Sequence, residues 1–507
     1  MQSLAAFFFV VLPWLNPFAP GPTPGVMPLL FSWVCAAAWL GTSSRLPASL
    51  LVNVTARAWL VAGLLSSAIG LCQYFGVEAR GLPWVNQADA GQAFANLRQR
   101  NQFASLTSLA LAALVWLAMT ALPTHGANSR ATRLRQWPML LAAGLLAVGN
   151  AASSSRTGLM QLFMLGALFW CWGGWRQPLV RRVLLSAGMA YLLASLLLPG
   201  LAGLDPAFHG MFARLRTGDQ ACASRLTLWS NVLHLIGQKP WLGWGWGELD
   251  YAHYTTLYEG PRFCDILDNA HNLPLQLAVE LGIPAALLMC GGFVWWSWRQ
   301  RPWREVDSAR QLAWAALAVI GLHSLLEYPL WYGPFQMAAV LCVGFLWCSR
   351  TSAAGNPKLE SKRSSNAIAS TLAAIILIAF CGYAGWDYQR ISQIYRAPEA
   401  RDAAYRVDTL AKINGSWLFG SQLRFAELSI TPLTPANAEW TYITAAALLH
   451  YSPEPRVIEK VVESAVLLGR DDEALAHLAR YRAAFPEEQA RWARSNAELT
   501  QKLQRLN

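Results

Sequence analysis

The sequence predicts an all-α polytopic membrane protein, and three observations carry that prediction. Of its 507 residues, 54% are hydrophobic and only 14% are charged, whereas soluble domains carry about 25% charged residues. Long apolar runs recur from Met1 to about Trp386. Runs of about 17–25 apolar residues cross a bilayer as helices, because a helix satisfies its own backbone hydrogen bonds. This composition excludes an ordinary cytosolic enzyme.

The apolar runs predict about eleven transmembrane helices and divide the chain into two domains. The first run lacks the basic segment and cleavage site of a signal peptide and is interpreted as a retained span. We predict a transmembrane domain at 1–386, with a large external loop at about 201–271, and a C-terminal helical domain at 387–507. The predicted spans lie near 3–18, 26–42, 50–75, 103–122, 137–152, 157–174, 181–200, 272–297, 309–326, 330–348 and 367–386.

The basic residues indicate how the chain is oriented. The formal charge is +11, but Lys and Arg form short clusters between spans, so no nucleic-acid partner is predicted. Basic loops stay on the cytoplasmic side, and with the N-terminus inside, the even-numbered loops are the basic ones. Their basic residues are Arg45; Arg130, Arg133 and Arg135; Arg176, Arg181 and Arg182; Arg299, Arg301, Arg304 and Arg310; and Lys358, Lys362 and Arg363. We therefore predict a multi-pass protein of a bacterial inner membrane, with the long loops and the tail in the periplasm.

Two cysteines stand apart from the other seven, which lie inside apolar runs. Cys222 and Cys264 share the long external loop, which would face an oxidising compartment, so we predict a disulfide between them. The sequence contains neither a C-x-x-C pair nor a Cys/His cluster. It therefore predicts no metal site and no bound cofactor.

The tail and the external loop also carry helical patterns. Amphipathic spacing predicts tail helices at about 457–468 and 472–485. The tail segment around Leu468-Gly469 and Phe485-Pro486 resembles one hairpin of a tetratricopeptide-like repeat, although such repeats need stacked neighbours. In the external loop we predict a short helix near 222–238 that lies along the membrane.

Polar residues gather at the external ends of the spans, where an ionisable group is costly and is expected to be functional. A guanidinium matches phosphate oxygens and keeps its charge, so the arginines predict a phosphorylated substrate embedded in lipid. The residues are Arg98, Arg100 and Asn101 in LRQRNQFA; Arg156 in SSSRTG; Arg225 and Trp229 in SRLTLW; His271 in DNAHNLPLQLAVELG; and His323, Glu327 and Tyr328 in HSLLEYPLWY.

Simpler interpretations of the same residues stay open. An arginine at a span end can snorkel to lipid headgroups. His271 can belong to a structural cap, since residues 269–272 have the pattern of a helix start. His323 and Glu327, four residues apart on one predicted helical face, can pair with each other. The tryptophans of KPWLGWGWG suit an interfacial belt or stacking on sugar faces.

The order of these motifs resembles a known superfamily. SSSRTG, the R-x-x-x-W of Arg225 to Trp229 followed by KPWLGWGWG, and NAHNLPLQLAVELG resemble the Wzy/WaaL superfamily of O-antigen polymerases and ligases. The N-terminal NPF segment, LRQRNQFA, HSLLEYPLWY and the C-terminal domain are similar to bacterial protein O-oligosaccharyltransferases of the PglL type. The resemblance covers nearly the whole chain.

The resemblance implies en bloc transfer of an oligosaccharide from undecaprenyl-pyrophosphate to a Ser or Thr hydroxyl of a periplasmic or pilin-like protein. It implies His271 as the essential loop histidine, which would orient or deprotonate the acceptor hydroxyl, and Arg225 as the conserved loop arginine. By the same matching, Arg156 and the Arg100–Asn101 pair would hold the pyrophosphate. His323 and Tyr328 would lie nearby. The implied reaction is metal-independent and proceeds by direct, inverting displacement.

Other functions remain open from the sequence. The same donor chemistry can serve a lipid A core acceptor in an O-antigen ligase, or a growing chain in an O-antigen polymerase. A transporter of lipid-linked sugars would show repeated halves and midplane binding groups, whereas no repeat is evident and the polar groups gather externally. A non-catalytic scaffold would not need His271 or Arg225.

Overall fold

The computed structural model describes residues 1–44, 46–120, 130–216, 222–352, 359–497 and 501. It describes no side chain at 79, 80, 130–135, 348–352 or 359–367. The predicted cytoplasmic residues Arg45 and Lys358 lie outside the described residues, as do the side chains of the basic residues at 130, 133, 135, 362 and 363. Within the described ranges, the regular secondary structure is helical.

Most of the predicted apolar and amphipathic runs overlap α-helices of the structure. The first half of the chain contains α1 (Gln2–Leu15), α2 (Val26–Ser43), α3 (Ala48–Tyr74), α4 (Arg100–Thr120), α5 (Arg130–Ala152), α6 (Arg156–Cys171), α7 (Pro178–Leu201), α8 (Met211–Arg216), α9 (Arg225–Gln238) and α10 (Leu249–Thr255). The second half contains α11 (Leu273–Leu281), α12 (Ile283–Ala286), α13 (Gly292–Gln300), α14 (Ser308–Ser324), α15 (Gly333–Ser352), α16 (Leu359–Ser392), α17 (Thr409–Ile413), α18 (Gly420–Ile430), α19 (Ala438–Leu448), α20 (Pro455–Leu467), α21 (Asp471–Ala484) and α22 (Pro486–Ser495).

The chain is a helical membrane protein. Among the described residues, five helical segments are long and apolar enough to cross a bilayer. They are α2, α3, α4, α7 and Ile368–Tyr395, and two shorter apolar helices cover Gln2–Leu15 and Gly333–Trp347. The count of eleven spans stays a prediction.

The described chain divides into two compact units. The first unit contains residues 1–218 and 296–385, and the second contains 219–295 and 386–507. Helix α4 is the centre of the first unit, because α3, α5, α6, α7 and α14 all pack on it. Its side chains from Gln102 to Trp116 are buried, as expected for a helix that is apolar on every face.

The second unit joins the helices of the loop after α8 to the tail. Helix α10 of the loop packs on α21 of the tail, and the Tyr254 side chain lies in the apolar core of the tail helices. The Tyr254 hydroxyl is 2.9 Å from His477 Nδ1. The Tyr251 ring stacks on His450 at 3.7 Å, and His450 also contacts the Glu248 carboxylate at 2.6 Å. The predicted loop helix and both predicted tail helices are present as α9, α20 and α21.

The eighth predicted span is not a continuous helix, which corrects the sequence prediction for 272–297. Helix α11 ends at Leu281, and Gly282 has a φ of +88°. After the short α12, residues Leu287–Gly291 form a π-helical turn before α13 begins. A glycine tolerates this positive φ at little cost, whereas a side chain would be strained.

The loop KPWLGWGWG explains the break, because it bonds to the backbone groups that the break leaves without helical partners. The N–H groups of Trp244 and Gly245 donate to the carbonyls of Val279 and Glu280 at 2.8 and 2.9 Å. In the opposite direction, the Ile283 N–H donates to the Pro240 carbonyl at 2.8 Å. The glycines permit this approach, since a Cβ on Gly243 or Gly282 would collide with the backbone opposite.

We expect Gly243→Ala to destabilise the second unit. Gly243 has a φ of +70°, and an added methyl would meet the Glu280 carbonyl. A strained positive φ alone costs about 1–3 kcal/mol. The measurement is the thermal unfolding midpoint of detergent-purified protein. The matched control is Gly237→Ala, which adds the same methyl to helical open space; equal midpoints for the two variants would contradict the packing described here.

We also expect the second unit to lose stability on acidification through His477. Burial, with a contribution from Arg480, lowers the pKa of His477 from 6.5 to about 4. A group with a lowered folded pKa takes up its proton more readily when unfolded, so its stabilisation is present above pH 6.5 and is lost as the pH falls toward 4. His253, whose pKa burial lowers to about 3, acts in the same direction.

The measurement is the unfolding midpoint between pH 7 and pH 5 for the unchanged protein and for His477→Gln. We expect a shallower fall for the variant, by on the order of 1 kcal/mol across this range. Asp250, whose pKa burial raises to about 7, opposes the trend equally in both proteins. His234→Gln on the exposed side of α9 is the control, and an identical slope for His477→Gln would refute the assignment.

Candidate active site

The polar motifs of the first unit meet at the carboxylate of Glu327, which is 5% exposed. Its two oxygens accept hydrogen bonds from Gln99 Nε2 at 3.1 Å and from Asn101 Nδ2 at 3.0 Å. Hydrogen bonds to an ionised acceptor are roughly twice as strong as neutral ones. The structure therefore joins LRQRNQFA to HSLLEYPLWY through one buried carboxylate.

The SSSRTG motif connects to the same cluster through Ser155. Ser155 is the N-cap of α6, and its Oγ accepts the Gly158 N–H at 3.0 Å. The hydroxyl donates its own proton to Asn101 Oδ1 at 2.5 Å. Asn101 therefore accepts from Ser155 and donates to Glu327, which fixes the orientation of its amide. Arg156 begins α6 directly after this cap, and Ser154 before it has a strained φ of 51°.

His323 occupies a second polar chain in the first unit, and its ring is fully buried. The Gln161 Nε2 atom donates to the Val319 carbonyl at 3.1 Å and to Ser105 Oγ at 2.7 Å. Ser105 Oγ is also 2.9 Å from His323 Nδ1, where the tautomer of the histidine decides which of the two groups donates.

The structure corrects the predicted helical face of His323 and Glu327. Helix α14 ends at Ser324, so Glu327 lies in the turn that follows and not on the helix. The turn directs the Glu327 carboxylate to Gln99 and Asn101, while His323 Nδ1 contacts Ser105. Tyr328 follows in the same turn, where its ring stacks on Tyr332 at 5.8 Å.

The arginines of LRQRNQFA have different surroundings. Arg98 has a left-handed backbone with a φ of 60°, and its Nη2 atom donates to the Pro17 carbonyl at 2.5 Å. This contact ties the motif to the N-terminal NPF segment and gives Arg98 a structural task. Arg100 is half-buried and begins α4. Like Arg156, it lies at a helix N-terminus, where the helix dipole adds positive potential.

Arg225 and Trp229 belong to the second unit, on the first two turns of α9. Ser224 caps this helix by accepting the Thr227 N–H at 3.2 Å, and Arg225 is the first helical residue. One turn further, Trp229 Nε1 donates to the Ala270 carbonyl at 3.0 Å. The indole therefore holds the residue that precedes His271, so R-x-x-x-W and NAHN are joined.

The backbone around His271 is held in a strained conformation. His271 has a φ of 50°, which costs a residue with a side chain about 1–3 kcal/mol. Its N–H donates to Asn269 Oδ1 at 2.8 Å, and the Ala270 N–H donates to Gln276 Oε1 at 2.6 Å. Asn272 then caps α11 by accepting the Leu275 N–H at 3.1 Å. The half-buried imidazole also interacts electrostatically with Asp268.

Cys222 and Cys264 form a disulfide within the second unit, with their Cα atoms 5.3 Å apart. The bridge joins the residue two before the Ser224 cap to the residue seven before His271. It therefore closes residues 222–264, which include Arg225, into one loop that ends seven residues before His271. Both cysteines are exposed.

Several residues of these clusters were missed by sequence reasoning. Gln99, Ser105, Ser155, Gln161 and Gln276 are partners of the predicted site residues, yet each is a common residue inside a helix or beside a motif. The only signal for Gln99 and Ser155 was that they lie inside the motifs LRQRNQFA and SSSRTG. Among the described residues, no group of three or more His, Cys, Asp or Glu side chains could hold a metal ion.

The tryptophans of KPWLGWGWG separate into two classes. Trp244 packs into the loop core, donates Nε1 to the Leu235 carbonyl at 3.0 Å and carries Lys239 over its ring at 4.0 Å. Trp241 and Trp246 are 75% and 65% exposed. Of the three tryptophans, Trp241 and Trp246 are exposed enough either to lie in a membrane belt or to stack on a sugar.

Three segments of the chain match known protein families. Residues 141–290 match the family described as O-Antigen ligase, and residues 93–118 match the one described as Protein glycosylation ligase. Residues 311–500 match the family described as Virulence factor membrane-bound polymerase, C-terminal. The O-Antigen ligase match includes Arg156 and His271. The Protein glycosylation ligase match includes the whole LRQRNQFA motif.

Two curated proteins of Acinetobacter baylyi (strain ATCC 33305 / BD413 / ADP1) are similar to this chain. The General O-oligosaccharyltransferase is 26% identical over 298 residues, which is 56% of this chain and 48% of the relative. The ComP-specific O-oligosaccharyltransferase is 24% identical over 263 residues, 50% of this chain and 43% of the relative. The chain thus spans about half the length of the curated relatives it matches. Together with the family matches, they confirm the resemblance drawn from the motifs.

We expect the hydrogen bonds to the Glu327 carboxylate to contribute measurably to the stability of the first unit. Glu327→Ala would remove the acceptor of two amide donors, and each buried donor left unsatisfied costs about 1–3 kcal/mol. Glu327→Gln keeps one oxygen and is expected to cost less. The measurement is thermal unfolding in detergent, with Glu399→Ala in the exposed tail as the control. A midpoint for Glu327→Ala equal to that of the control would contradict the cluster.

Proposed function

We propose that this chain, which carries O-antigen ligase and protein glycosylation ligase domains, transfers a glycan from a lipid-linked pyrophosphate donor to a hydroxyl group of a protein. The observation that carries the proposal is that LRQRNQFA, SSSRTG and HSLLEYPLWY, distant in sequence, converge on one buried polar cluster. The names of both relatives support transfer of an oligosaccharide, and the match to the family described as Protein glycosylation ligase supports a protein acceptor.

The donor in this proposal is undecaprenyl-pyrophosphate oligosaccharide, and the arginines bind its pyrophosphate. Arg100 and Arg156 begin α4 and α6, and Arg225 begins α9. Each guanidinium donates to phosphate oxygens and stabilises the negative charge that grows on the leaving pyrophosphate. The links among Asn101, Ser155 and Glu327 would hold the starts of α4 and α6 in a fixed relation, so Asn101 and Glu327 act as positioning residues. Arg98, held by the Pro17 carbonyl, would position LRQRNQFA.

His271 in this proposal acts on the acceptor. The Ser or Thr hydroxyl oxygen bonds to the anomeric carbon of the glycan while the bond from that carbon to the pyrophosphate oxygen breaks. The hydroxyl proton passes to the His271 imidazole, which acts as the general base. Undecaprenyl-pyrophosphate leaves, and a single displacement inverts the anomeric configuration. Trp229 positions the histidine through the Ala270 carbonyl, and Asp268 would stabilise the imidazolium.

His323 and Tyr328 are proposed to act at the bound donor. Because its ring is fully buried, His323 would act through the Ser105 hydroxyl, 2.9 Å from its Nδ1 atom. Tyr328 would add a hydroxyl and a ring face. Their substitution is expected to affect donor binding more than acceptor binding.

The finer topology is also part of the proposal. Eleven spans with a cytoplasmic N-terminus would place the loop at 201–271 and the tail at 387–507 on the periplasmic side of an inner membrane. The donor would then enter from the outer leaflet, with its isoprenoid in lipid. Consecutive packing of α19, α20, α21 and α22 supports a tetratricopeptide-like arrangement of the tail.

A second candidate is the same donor reaction with a glycan acceptor. The matches to the O-Antigen ligase and polymerase descriptions favour it. In that case the acceptor is lipid A core, or a growing O-antigen chain. The residues proposed for pyrophosphate binding would be unchanged.

The proposal predicts that His271→Ala abolishes protein glycosylation. In cells that supply a lipid-linked glycan and a candidate pilin-like acceptor, the unchanged chain is expected to add the glycan mass to Ser or Thr. Loss of a general base lowers such rates by about 100-fold or more, so His271→Ala should leave the acceptor unmodified. The measurement is the intact mass of the purified acceptor.

The matched control is His234→Ala, which removes an exposed histidine of α9 in the same unit. Full glycosylation by His271→Ala would refute the role of His271. If lipid A core is modified while the protein acceptor is not, the second candidate function is correct and transfer to protein is refuted. No modified product from any acceptor would refute transferase function.

A further inference from the structure

The second unit contains an open cleft that no step of the proposed reaction uses. The loop residues 262–266 form one wall, and the turn from α21 into α22 at 483–488 forms the other. The cavity volume is about 520 Å³. Pockets of about 300–1,000 Å³ hold ligands of drug size, so the cleft has room for a few residues of an extended chain.

A smaller recess adjoins the cleft. It shares Arg262, Ile266 and Phe485 with the cleft and is also lined by Asp250 and His253. This recess has a volume of about 10 Å³, enough for about one water molecule. A ligand therefore occupies the open part, between the two walls.

The charges on the walls are predominantly negative. Asp265 and Glu487 are exposed carboxylates at the cleft, and Glu488 is a third, which also pairs with Arg491 at 2.9 Å. The one basic residue of the lining, Arg262, donates to the carbonyls of Thr256 and His253, both at 2.9 Å. The Arg262 guanidinium is therefore held by loop carbonyls, whereas Asp265 and Glu487 are exposed. This is unusual in a chain whose formal charge is +11.

The cleft also offers apolar contact. Ile266 is 39% exposed, and Phe485 is partly buried against the tail core. Pro486 and Ala483 complete the apolar lining. A cleft lined by both apolar and acidic side chains is complementary to a segment in which basic side chains alternate with apolar ones, because an extended chain directs successive side chains to opposite faces.

We propose that this cleft binds an extended segment of the acceptor polypeptide in which Lys or Arg residues alternate with apolar residues. This inference rests on the proposed function for the identity of the polypeptide. It also sets a distance rule, since Cys264 in the cleft wall lies seven residues before His271. Seven extended residues span at most about 23–25 Å, so the basic segment is expected within about seven or eight residues of the modified hydroxyl.

The first test measures peptide binding alone. The full chain in detergent micelles is titrated against a labelled synthetic peptide that contains Ser flanked by alternating Lys and Leu. We expect Glu487→Gln/Glu488→Gln to weaken binding roughly five- to tenfold, because each exposed ion pair contributes modestly. The matched control is Glu259→Gln/Glu399→Gln, which removes two exposed carboxylates of the same unit that do not line the cleft.

A second variant tests the apolar lining of the cleft and leaves the charge of the cleft unchanged. Ile266→Ser is expected to weaken binding of the same peptide, while a peptide with Glu in place of Lys should bind poorly to every variant. Unchanged affinity for both Glu487→Gln/Glu488→Gln and Ile266→Ser would overturn the proposal. Equal binding of the Lys and Glu peptides would overturn it as well.

The transfer assay distinguishes this inference from the proposed function. If the unchanged chain glycosylates an acceptor and the cleft variants raise KM for the basic acceptor at constant kcat, both stand. If it glycosylates the acceptor and the cleft variants leave KM unchanged, the cleft is not the acceptor site and the function survives. If it binds the peptide through the cleft but transfers no glycan, the proposed function falls and polypeptide binding by the cleft remains.

Discussion

The cost of a polar group inside an apolar helical unit organises the first unit of this protein. Helix α4 is buried on all sides, yet its first turns carry Asn101 and Ser105, and Gln99 precedes it. Each finds a partner on another helix or turn: Asn101 on Ser155 and Glu327, Ser105 on Gln161 and His323. An unpaired buried group costs about 1–3 kcal/mol. These pairs therefore constrain which helices and turns pack against one another. The motif residues are therefore held by the same interactions that build the fold.

In the second unit, backbone geometry holds the motif residues in place. His271 is held at positive φ by Asn269, and its neighbour Ala270 is held between Trp229 and Gln276. Beyond α11, the loop KPWLGWGWG closes the backbone bonds of a broken helix. Glycine is required at 243 and 282 by close backbone approach, so this motif is explained by packing before any contact with a sugar is considered. Trp244 belongs to that packing as well.

The sequence predicted the parts that depend on local pattern. Apolar runs located the helices of the first unit, and amphipathic spacing located α20 and α21. The broken span was not predicted, although Gly282 followed by Pro284 has the pattern of a helix end inside the apolar run. Nor was the packing of α10 on the tail, since Tyr254 and His477 are separated by 223 residues. The motifs identified Asn101 and Glu327 as site residues, but their direct contact depends on how α14 ends at Ser324.

The candidate site shows the same limit. Arg98 looked identical to Arg100 in sequence, yet the structure gives Arg98 the Pro17 carbonyl as its partner. Ser105 and Gln161 looked like ordinary polar residues of a membrane helix, and only their position beside His323 gives them a task. A pattern identifies the residue types that a reaction needs, whereas the burial and hydrogen-bond partners decide which of them position the others.

The central claim is that this chain moves a whole glycan from a lipid pyrophosphate to a protein hydroxyl. The most direct measurement combines the purified chain in liposomes with an undecaprenyl-pyrophosphate glycan and a purified acceptor, followed by site-resolved mass spectrometry. The account predicts that the complete glycan mass appears on Ser or Thr as undecaprenyl-pyrophosphate is released in equal amount. Intact donor with unmodified acceptor, or movement of the donor across the bilayer without transfer, would contradict it.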